Sequence, residues 1–153
     1  MRIDYPRLWN VVTAQFACHP KSIHGPAHWQ RVERNGLLIA SRSDAIVSVV
    51  RLFAVFHDSQ REHDGHDDTH GKRAAAFATR LRGVIFNLPD PEFALLIDAC
   101  EWHTHGRLSN DPTIGACWDA DRLDLGRVGI TPEPRYMSTV VGREFAARPN
   151  SIL

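Results

Sequence analysis

Histidine is the residue type in this chain with the most chemistry to offer, because nine histidines occur beside only two lysines. The imidazole ring titrates near neutral pH and is a common metal ligand. Burying one such polar group without a partner costs roughly 2–7 kcal/mol, and a cation shared by several of them removes that cost. Five metal-competent residues occur at helical spacing from apolar residues, which predicts that they face a core and that the core holds a metal site: His28, His57, His70, His103 and Asp121.

Each of these residues also has a purely structural interpretation. A single histidine on an apolar face is more often a hydrogen-bonded core residue than a ligand, and Asp58, directly after His57, could simply end a helix. The joint pattern favours metal binding, since buried charges are usually paired or coordinated. His24 stays undecided, because Gly25 and Pro26 indicate that the next helix begins after it. Four histidines occur in polar, loop-like contexts and are expected to be solvated: His19, His63, His66 and His105.

Helical apolar spacing runs through almost the whole chain and predicts the elements that must position these side chains. An apolar face over positions 46–57 predicts a helix that starts near Ser43 or Asp44 and ends at His57. Strand-like alternation occurs only around residues 84–86, while residues 61–68 and 126–135 have the composition of loops. We expect an all-α domain, a compact bundle of six or seven helices. The other helices are predicted over residues 4–16 and 26–40, after Asp68-Thr69, from Pro91 to Cys100, and from Pro112 to about residue 123.

Length and composition limit the classes to which the protein can belong. At 153 residues the chain fits one domain over residues 1–153. With 18 basic against 18 acidic residues, a surface that coats nucleic acid or binds a membrane is not expected. No apolar run is long enough to span a bilayer, and the first ten residues do not resemble a signal peptide. Three widely spaced cysteines are expected to be buried thiols in the cytoplasm: Cys18, Cys100 and Cys117. The sequence leaves open whether the protein forms a homo-oligomer.

Three segments between about residues 24 and 128 carry a resemblance to a known family. They are His-Gly-Pro-Ala-His-Trp at 24–29, Phe-His-Asp-Ser at 56–59 and Trp-Asp-Ala-Asp-Arg-Leu-Asp at 118–124. In this order they resemble the HD-domain superfamily of metal-dependent phosphohydrolases. The match to the family's Ala-Asp-Arg-Leu segment favours Asp121 as the distal ligand, with Asp119 as the alternative, and Asp124 is expected to cap a helix or pair nearby. The resemblance implies an all-helical fold and one divalent cation held by His28, His57, Asp58 and Asp121.

The residues after the His-Asp pair resemble one branch of the superfamily at 70–75 and differ from some of its members at position 61. His-Gly-Lys-Arg-Ala-Ala at 70–75 resembles a small, poorly characterised branch of the superfamily. Some members of the superfamily place an acidic residue three positions after the pair, where it orients the attacking water. This chain has Arg61 at that position, and Glu62 follows one residue later.

A site of two histidines and two carboxylates suits Mn, Fe, Co, Ni or Zn, and Mg less well. We expect Asp58 to bind the metal through one oxygen and to orient the attacking water as a base with the other. His70 and His103 are expected either to bind a second metal or to serve as proton donor and phosphate contact. The cations nearest in sequence for the substrate phosphate are Lys72, Arg73, Arg107 and Arg122.

The predicted function is that of a metal-dependent phosphohydrolase acting on a small phosphorylated compound such as a nucleotide, either a phosphomonoester or a phosphodiester. One alternative is a dinuclear-iron oxygenase of the same fold, whose second iron His70 and His103 would complete. Another is a non-catalytic module that senses a ligand in the same pocket. The chain has no Gly-rich phosphate loop and no base-reading motif, so the substrate is not identified.

Overall fold

The structure is a computed structural model that describes residues 2–148, and over this range it consists of α-helices joined by loops. Two short 3-10 helices, Leu125–Val128 and Pro134–Tyr136, lie between the last two α-helices. The prediction of an all-α fold with six or seven helices is confirmed. The helices are α1 (Tyr5–Ala14), α2 (Pro26–Ala40), α3 (Val47–Phe56), α4 (His70–Leu81), α5 (Asp90–Trp102), α6 (Pro112–Arg122) and α7 (Val140–Ala147).

Local sequence explains where several of the helices begin. Asp4, Asp111 and Thr139 precede α1, α6 and α7, and each side chain accepts a hydrogen bond from a backbone N–H of the first turn. Proline lies in the first turn of α1, α2, α5 and α6, where its missing N–H costs no helical hydrogen bond. Helix α4 begins at His70, as predicted, although the side chain of Thr69 does not cap it.

Helix α3 lies at the centre of the fold and is apolar on nearly all sides. Seven of its 10 residues are buried, and it packs against α1, α2, α4, α5 and α6. A helix that is apolar all round is typical of a protein core. Helix α2 comes closest at Gly36, where an added Cβ would overlap the side chain of Val50. Because α3 ends at Phe56, the next two residues, His57 and Asp58, stand at the end of this central helix.

Several segments differ from the expected elements or add to them. Residues 84–86 form no strand, and the isolated β-bridge recorded in the described chain joins Arg82 to Phe86. Helix α7 lies outside the segments predicted to be helical. The thiols of Cys100 and Cys117 are buried, whereas Cys18 is half-buried, and all three are free. Among residues 2–148, no helix has both the length and the hydropathy needed to cross a bilayer.

Candidate metal centre

Three helix ends meet at one point and bring together His28, His57, Asp58 and Asp121. His28 lies in the first turn of α2, His57 and Asp58 directly follow α3, and Asp121 lies in the last turn of α6. One ligand atom of each residue lies within 4.8 Å of the others. We call these four residues the first ligand set. The structure assembles the residues that the resemblance implied, and their role as metal ligands stays a prediction.

The atoms that converge in the first ligand set are the Nε2 atoms of both histidines and one oxygen of each carboxylate. His28 Nε2 lies 3.1 Å from His57 Nε2, 3.2 Å from Asp58 Oδ2 and 3.1 Å from Asp121 Oδ1. His57 Nε2 lies 3.4 Å from Asp58 Oδ2 and 3.5 Å from Asp121 Oδ1. Metal–ligand bonds of about 2.0–2.2 Å at octahedral or tetrahedral angles separate ligand atoms by about 2.8–3.6 Å. The spacing therefore suits one cation.

A second ligand set adjoins the first and shares Asp58 with it. Asp58 Oδ1 lies 3.0 Å from His70 Nε2 and 3.3 Å from His103 Nε2, and these two ring nitrogens lie 3.1 Å apart. His70 is the first residue of α4, and His103 directly follows α5. The two oxygens of Asp58 therefore face different sets, Oδ2 the first and Oδ1 the second. Of the two roles expected for His70 and His103, this geometry suits metal binding.

The other nitrogen of each ring is held by a hydrogen-bond acceptor. The Nδ1 atoms of His57, His70 and His103 lie 3.0, 2.6 and 2.7 Å from the backbone carbonyl oxygens of Ala54, Asp67 and Cys100. Because a carbonyl only accepts, each Nδ1 carries a proton, and Nε2 is the nitrogen that is available to a metal. The Nε2 atoms face one another and the carboxylates, and a cation between them would satisfy several of these atoms at once.

His28 is oriented by a carboxylate instead of a carbonyl. Its Nδ1 lies 2.7 Å from Asp124 Oδ2, and Arg31 Nε donates to the same carboxylate at 2.8 and 3.0 Å. Burial by itself would lower the pKa of His28, but the nearby carboxylates of Asp121, Asp124 and Asp58 raise it to about 10. Asp124 thus pairs within the site, and a carboxylate behind a histidine ligand fixes its ring and increases its basicity.

The two carboxylates of the first ligand set are held in the charged form. Burial alone would raise the pKa of Asp58, but His57 and the other surrounding histidines hold it well below its ordinary value. The pKa of Asp121 is lowered in the same way, because the nearness of His28 and His57 outweighs burial. Asp121 Oδ1 is buried, and nothing in the described chain donates a well-formed hydrogen bond to it. A divalent cation would satisfy this oxygen and the facing Nε2 atoms together, so the donor set fits a metal.

Asp119, the alternative distal ligand, faces a different part of the fold. Its fully buried carboxylate accepts hydrogen bonds from Ser138 N at 2.7 Å, Thr139 N at 2.8 Å and Thr139 Oγ1 at 2.7 Å. Burial raises its pKa against the effect of these hydrogen bonds. Asp119 therefore joins α6 to the start of α7, and of the two aspartates it is Asp121 that faces the histidines.

The four cations expected near the substrate phosphate are either exposed or already have other partners. Arg73 donates to a carboxylate and to a backbone carbonyl, and Arg122 donates to two backbone carbonyls. Arg107 lies over the ring of Trp102 at 4.2 Å, and Lys72 is exposed. Their role in substrate binding stays a prediction.

Three residues near the ligand sets had no role in the sequence-based predictions. Arg61 is 7% exposed, and its Nη1 lies 3.3 Å from His70 Nδ1. Arg127 Nη2 lies 3.9 Å from Asp121 Oδ1. Nδ1 of His24 is buried without a hydrogen-bond partner in the described chain and lies 3.7 Å from an oxygen of the shared carboxylate. Of the three, only Arg61 had a position in the sequence that pointed to the site, because it lies three residues after the His-Asp pair.

Neither a protein-family model nor a curated protein matches this chain. A solved structure is similar to it, a crystal structure described as a predicted HD superfamily hydrolase from an uncultured Thermotogales bacterium. The two chains are 25% identical and superpose with a TM-score of 0.78. The similarity covers 97% of this chain and 86% of the other, so it includes all the helices that carry the ligand sets.

Proposed function

Because this chain is an HD-domain protein, we propose that it is a metal-dependent phosphohydrolase that hydrolyses a small phosphorylated compound such as a nucleotide. The similar solved structure is described as a predicted hydrolase, and the buried His/Asp cluster is suited to a metal-dependent one. Phosphate esters are typical substrates for water activated by bound cations, which supports a phosphorylated compound as the substrate.

The observation that carries the proposal is the position of Asp58 between the two ligand sets. Each of its oxygens lies 3.0 to 3.4 Å from two histidine nitrogens. A buried carboxylate in these surroundings is suited to bridge two cations, as in two-metal hydrolases. We therefore assign one cation to His28, His57, Asp58 and Asp121, and a second one to Asp58, His70 and His103.

Cations bound at these sets would lower the pKa of a water molecule and polarise the phosphoryl oxygen of the substrate. The contribution of the chain itself is to hold the ligand atoms in place through the partners of each Nδ1. In this assignment Asp58 would hold both cations, so neither of its oxygens would be free to accept the proton of the water. His70 and His103 would likewise hold the second cation and would not donate a proton.

The second ligand set also supports a second candidate function, that of a dinuclear-iron oxygenase. This chemistry requires His70 and His103 to complete a second metal site, and both lie within 3.3 Å of Asp58 Oδ1. The two functions differ in their requirements, since the oxygenase needs iron and O₂ and the hydrolase needs neither.

A screen of substrates across divalent metals tests the proposal. The protein is stripped of metal, reloaded with Mn, Fe, Co, Ni, Zn or Mg, and assayed for phosphate release from nucleoside mono-, di- and triphosphates and from phosphodiesters. Phosphate release with a redox-inert metal supports the hydrolase. Two equivalents of iron, a visible charge-transfer band and O₂ uptake without phosphate release would replace it with the oxygenase. Ligand binding without turnover under every metal would leave the sensing module.

A further inference from the structure

Arg61 lies beside the second ligand set, and the partners of its guanidinium are uncharged. Nη2 donates to the carbonyl oxygen of Gly65 at 2.6 Å, and Nε donates to that of His63 at 3.3 Å. Nη1 faces the ring of His70, 3.3 Å from Nδ1 and 3.4 Å from Nε2. Nδ1 of His70 donates to the carbonyl of Asp67, so of the two ring nitrogens only Nε2 can accept from Nη1. This contact uses one of the two N–H groups of Nη1, and among the described residues the other is left for a ligand.

Arg127 has a corresponding place beside the first ligand set, with 11% of its side chain exposed. Nε and Nη1 donate to the carbonyl oxygens of Ile23 and Asp124, each at 2.9 Å. Nη2 lies 3.9 Å from Asp121 Oδ1, which is beyond hydrogen-bond distance. In both arginines, carbonyl oxygens hold the guanidinium while one of its nitrogens faces a ligand set.

A cavity of about 320 Å³ opens at Arg61, His24 and His70. This volume is near the lower end of the range of about 300–1,000 Å³ for ligand pockets, which favours a small substrate. Three carboxylates also line the cavity, of which one is paired with Arg73, and the other two disfavour a substrate that carries additional phosphate groups, since like charges repel. These carboxylates are Asp64, Asp67 and Asp68.

On the basis of the proposed hydrolase function, we propose that Arg61 and Arg127 bind the non-bridging oxygens of the substrate phosphoryl group and thereby select a phosphomonoester with a single phosphate. A terminal phosphoryl group offers three such oxygens and up to two negative charges, whereas a diester offers two oxygens and one charge. Two arginines and two cations complement the terminal group better. In the reaction the water oxygen bonds to phosphorus, the bond from phosphorus to the ester oxygen breaks, and the departing alcohol oxygen takes a proton from the water.

The test combines a pair of substrates with a direct measurement of phosphate binding. The Mn²⁺-loaded protein should hydrolyse p-nitrophenyl phosphate roughly tenfold faster than bis(p-nitrophenyl) phosphate, because the diester lacks one charge-assisted contact. Arg61→Gln and Arg127→Gln should each weaken binding of inorganic phosphate about tenfold in calorimetry, with metal content unchanged. Arg34→Gln removes the same charge from an exposed position on α2 and should bind phosphate as the wild type does.

Arg61 also holds its own loop through Gly65, so Arg61→Lys serves as a second variant that retains the charge without the planar fork. It should bind phosphate more weakly than the wild type and more tightly than Arg61→Gln. If both glutamine variants bind phosphate normally, or if the diester is the faster substrate, the proposal is wrong while the hydrolase function stands. If the wild type hydrolyses neither ester with any metal, the hydrolase function fails, and the phosphate titration alone decides whether the arginines bind phosphate.

Discussion

Asp58 and the histidines around it are prepared for a cation by their hydrogen bonds. A histidine on an apolar face is usually a core residue with one good hydrogen bond. Here each ring has that bond at Nδ1, and Nε2 is turned toward the Nε2 atom of a neighbouring ring and toward carboxylates. Packing alone does not require four imidazoles to face one another in this way, whereas metal binding does.

Asp58→Ala should empty both ligand sets, because each set loses the carboxylate that the two share. We expect metal content near zero after dialysis and hydrolysis reduced by roughly 10³-fold or more, while circular dichroism still shows a helical protein. Asp98→Ala, at an exposed position of α5, is the matched control and should retain metal and activity. Full activity of Asp58→Ala would exclude the metal assignment.

His103→Ala should remove one equivalent of metal per chain and leave the other, since His103 belongs only to the second ligand set. In this variant we expect turnover to fall strongly, while the metal bound at the first ligand set is largely retained. Metal analysis and steady-state kinetics on the same preparation provide the measurement. His105 is exposed two positions later, and His105→Ala should match the wild type in both. Unchanged kinetics in His103→Ala would make His103 a packing residue.

The affinity for Mn²⁺ should increase with pH. Because the pKa of His28 is raised to about 10, this ring is protonated near neutral pH in the metal-free protein, and the metal must displace its proton. One displaced proton corresponds to about a tenfold gain in affinity per pH unit below that pKa. Competition with a chelator between about pH 6.5 and 8.5 measures the slope. Asp124→Asn removes one hydrogen bond that raises the pKa, so its affinity should level off at lower pH. An affinity that does not depend on pH would show that His28 is neutral.

Helix packing sets the distances between the ligands, and the tightest place near the second set is Gly71. A Cβ at this residue would lie 2.5 Å from the carbonyl oxygen of Cys100 and 3.2 Å from His103 Nδ1. Buried Ala74 and Ala75 follow on the same helix. The His-Gly-Lys-Arg-Ala-Ala segment therefore uses small residues to bring α4 against α5.

Gly71→Ala should push α4 away from α5 and separate His70 from His103. We expect a loss of about 1–3 kcal/mol in the free energy of unfolding, as for other overpacked cores. The second equivalent of metal should be weakened as well. Urea unfolding and metal analysis measure the two effects. Gly126→Ala has no atom within 4 Å of the added Cβ and should be close to neutral. A stable Gly71→Ala protein with full metal content would contradict this account of the segment.

Helix α6 also shows how two nearby aspartates acquire different roles. Residues two positions apart point about 200° apart around a helix axis, so they cannot face the same neighbour. Asp119 accordingly binds the start of α7, and Asp121 faces the histidines of α2 and α3. Choosing between them requires knowing which side of α6 faces the centre.

The molecule as a whole is organised around α3, with five of its helices supplying residues to the two ligand sets. The residues come from α2, from the ends of α3 and α5, from the start of α4 and from α6. A cation at either set therefore joins elements that are far apart in the chain, and it binds the folded state only. Metal binding should accordingly stabilise the entire fold.

Chelation should lower the melting temperature, and added metal should restore it. A metal present at about a hundred times its Kd adds about 2.7 kcal/mol, which corresponds to roughly 5–10 °C for a chain of this size. Thermal unfolding with and without EDTA measures the shift. Asp58→Ala should melt at the same temperature in both conditions. An identical melting temperature for the metal-loaded and metal-free wild type would contradict the metal assignment.

The sequence by itself was sufficient for the all-α fold and for most helix positions, and the family resemblance added His28, His57 and Asp58 of the first ligand set. Helical periodicity and capping are local properties, which a single sequence records. The ends of elements were less well determined, since α3 begins at Val47 instead of near Ser43 or Asp44. There the first turn depends on packing, because the side chain of Thr113 accepts a hydrogen bond from the backbone N–H of Ile46.

Tertiary structure alone decided which side chains meet. It turned Asp121 and not Asp119 toward the histidines, and it brought His70 and His103 to the second oxygen of Asp58. It also placed two arginines beside the centre, the buried Arg61 and the partly buried Arg127, whereas the cations chosen by their nearness in sequence are exposed or have other partners. The physical reason is that the direction of a side chain into a shared centre depends on how separate helices cross, and local spacing does not record those crossings.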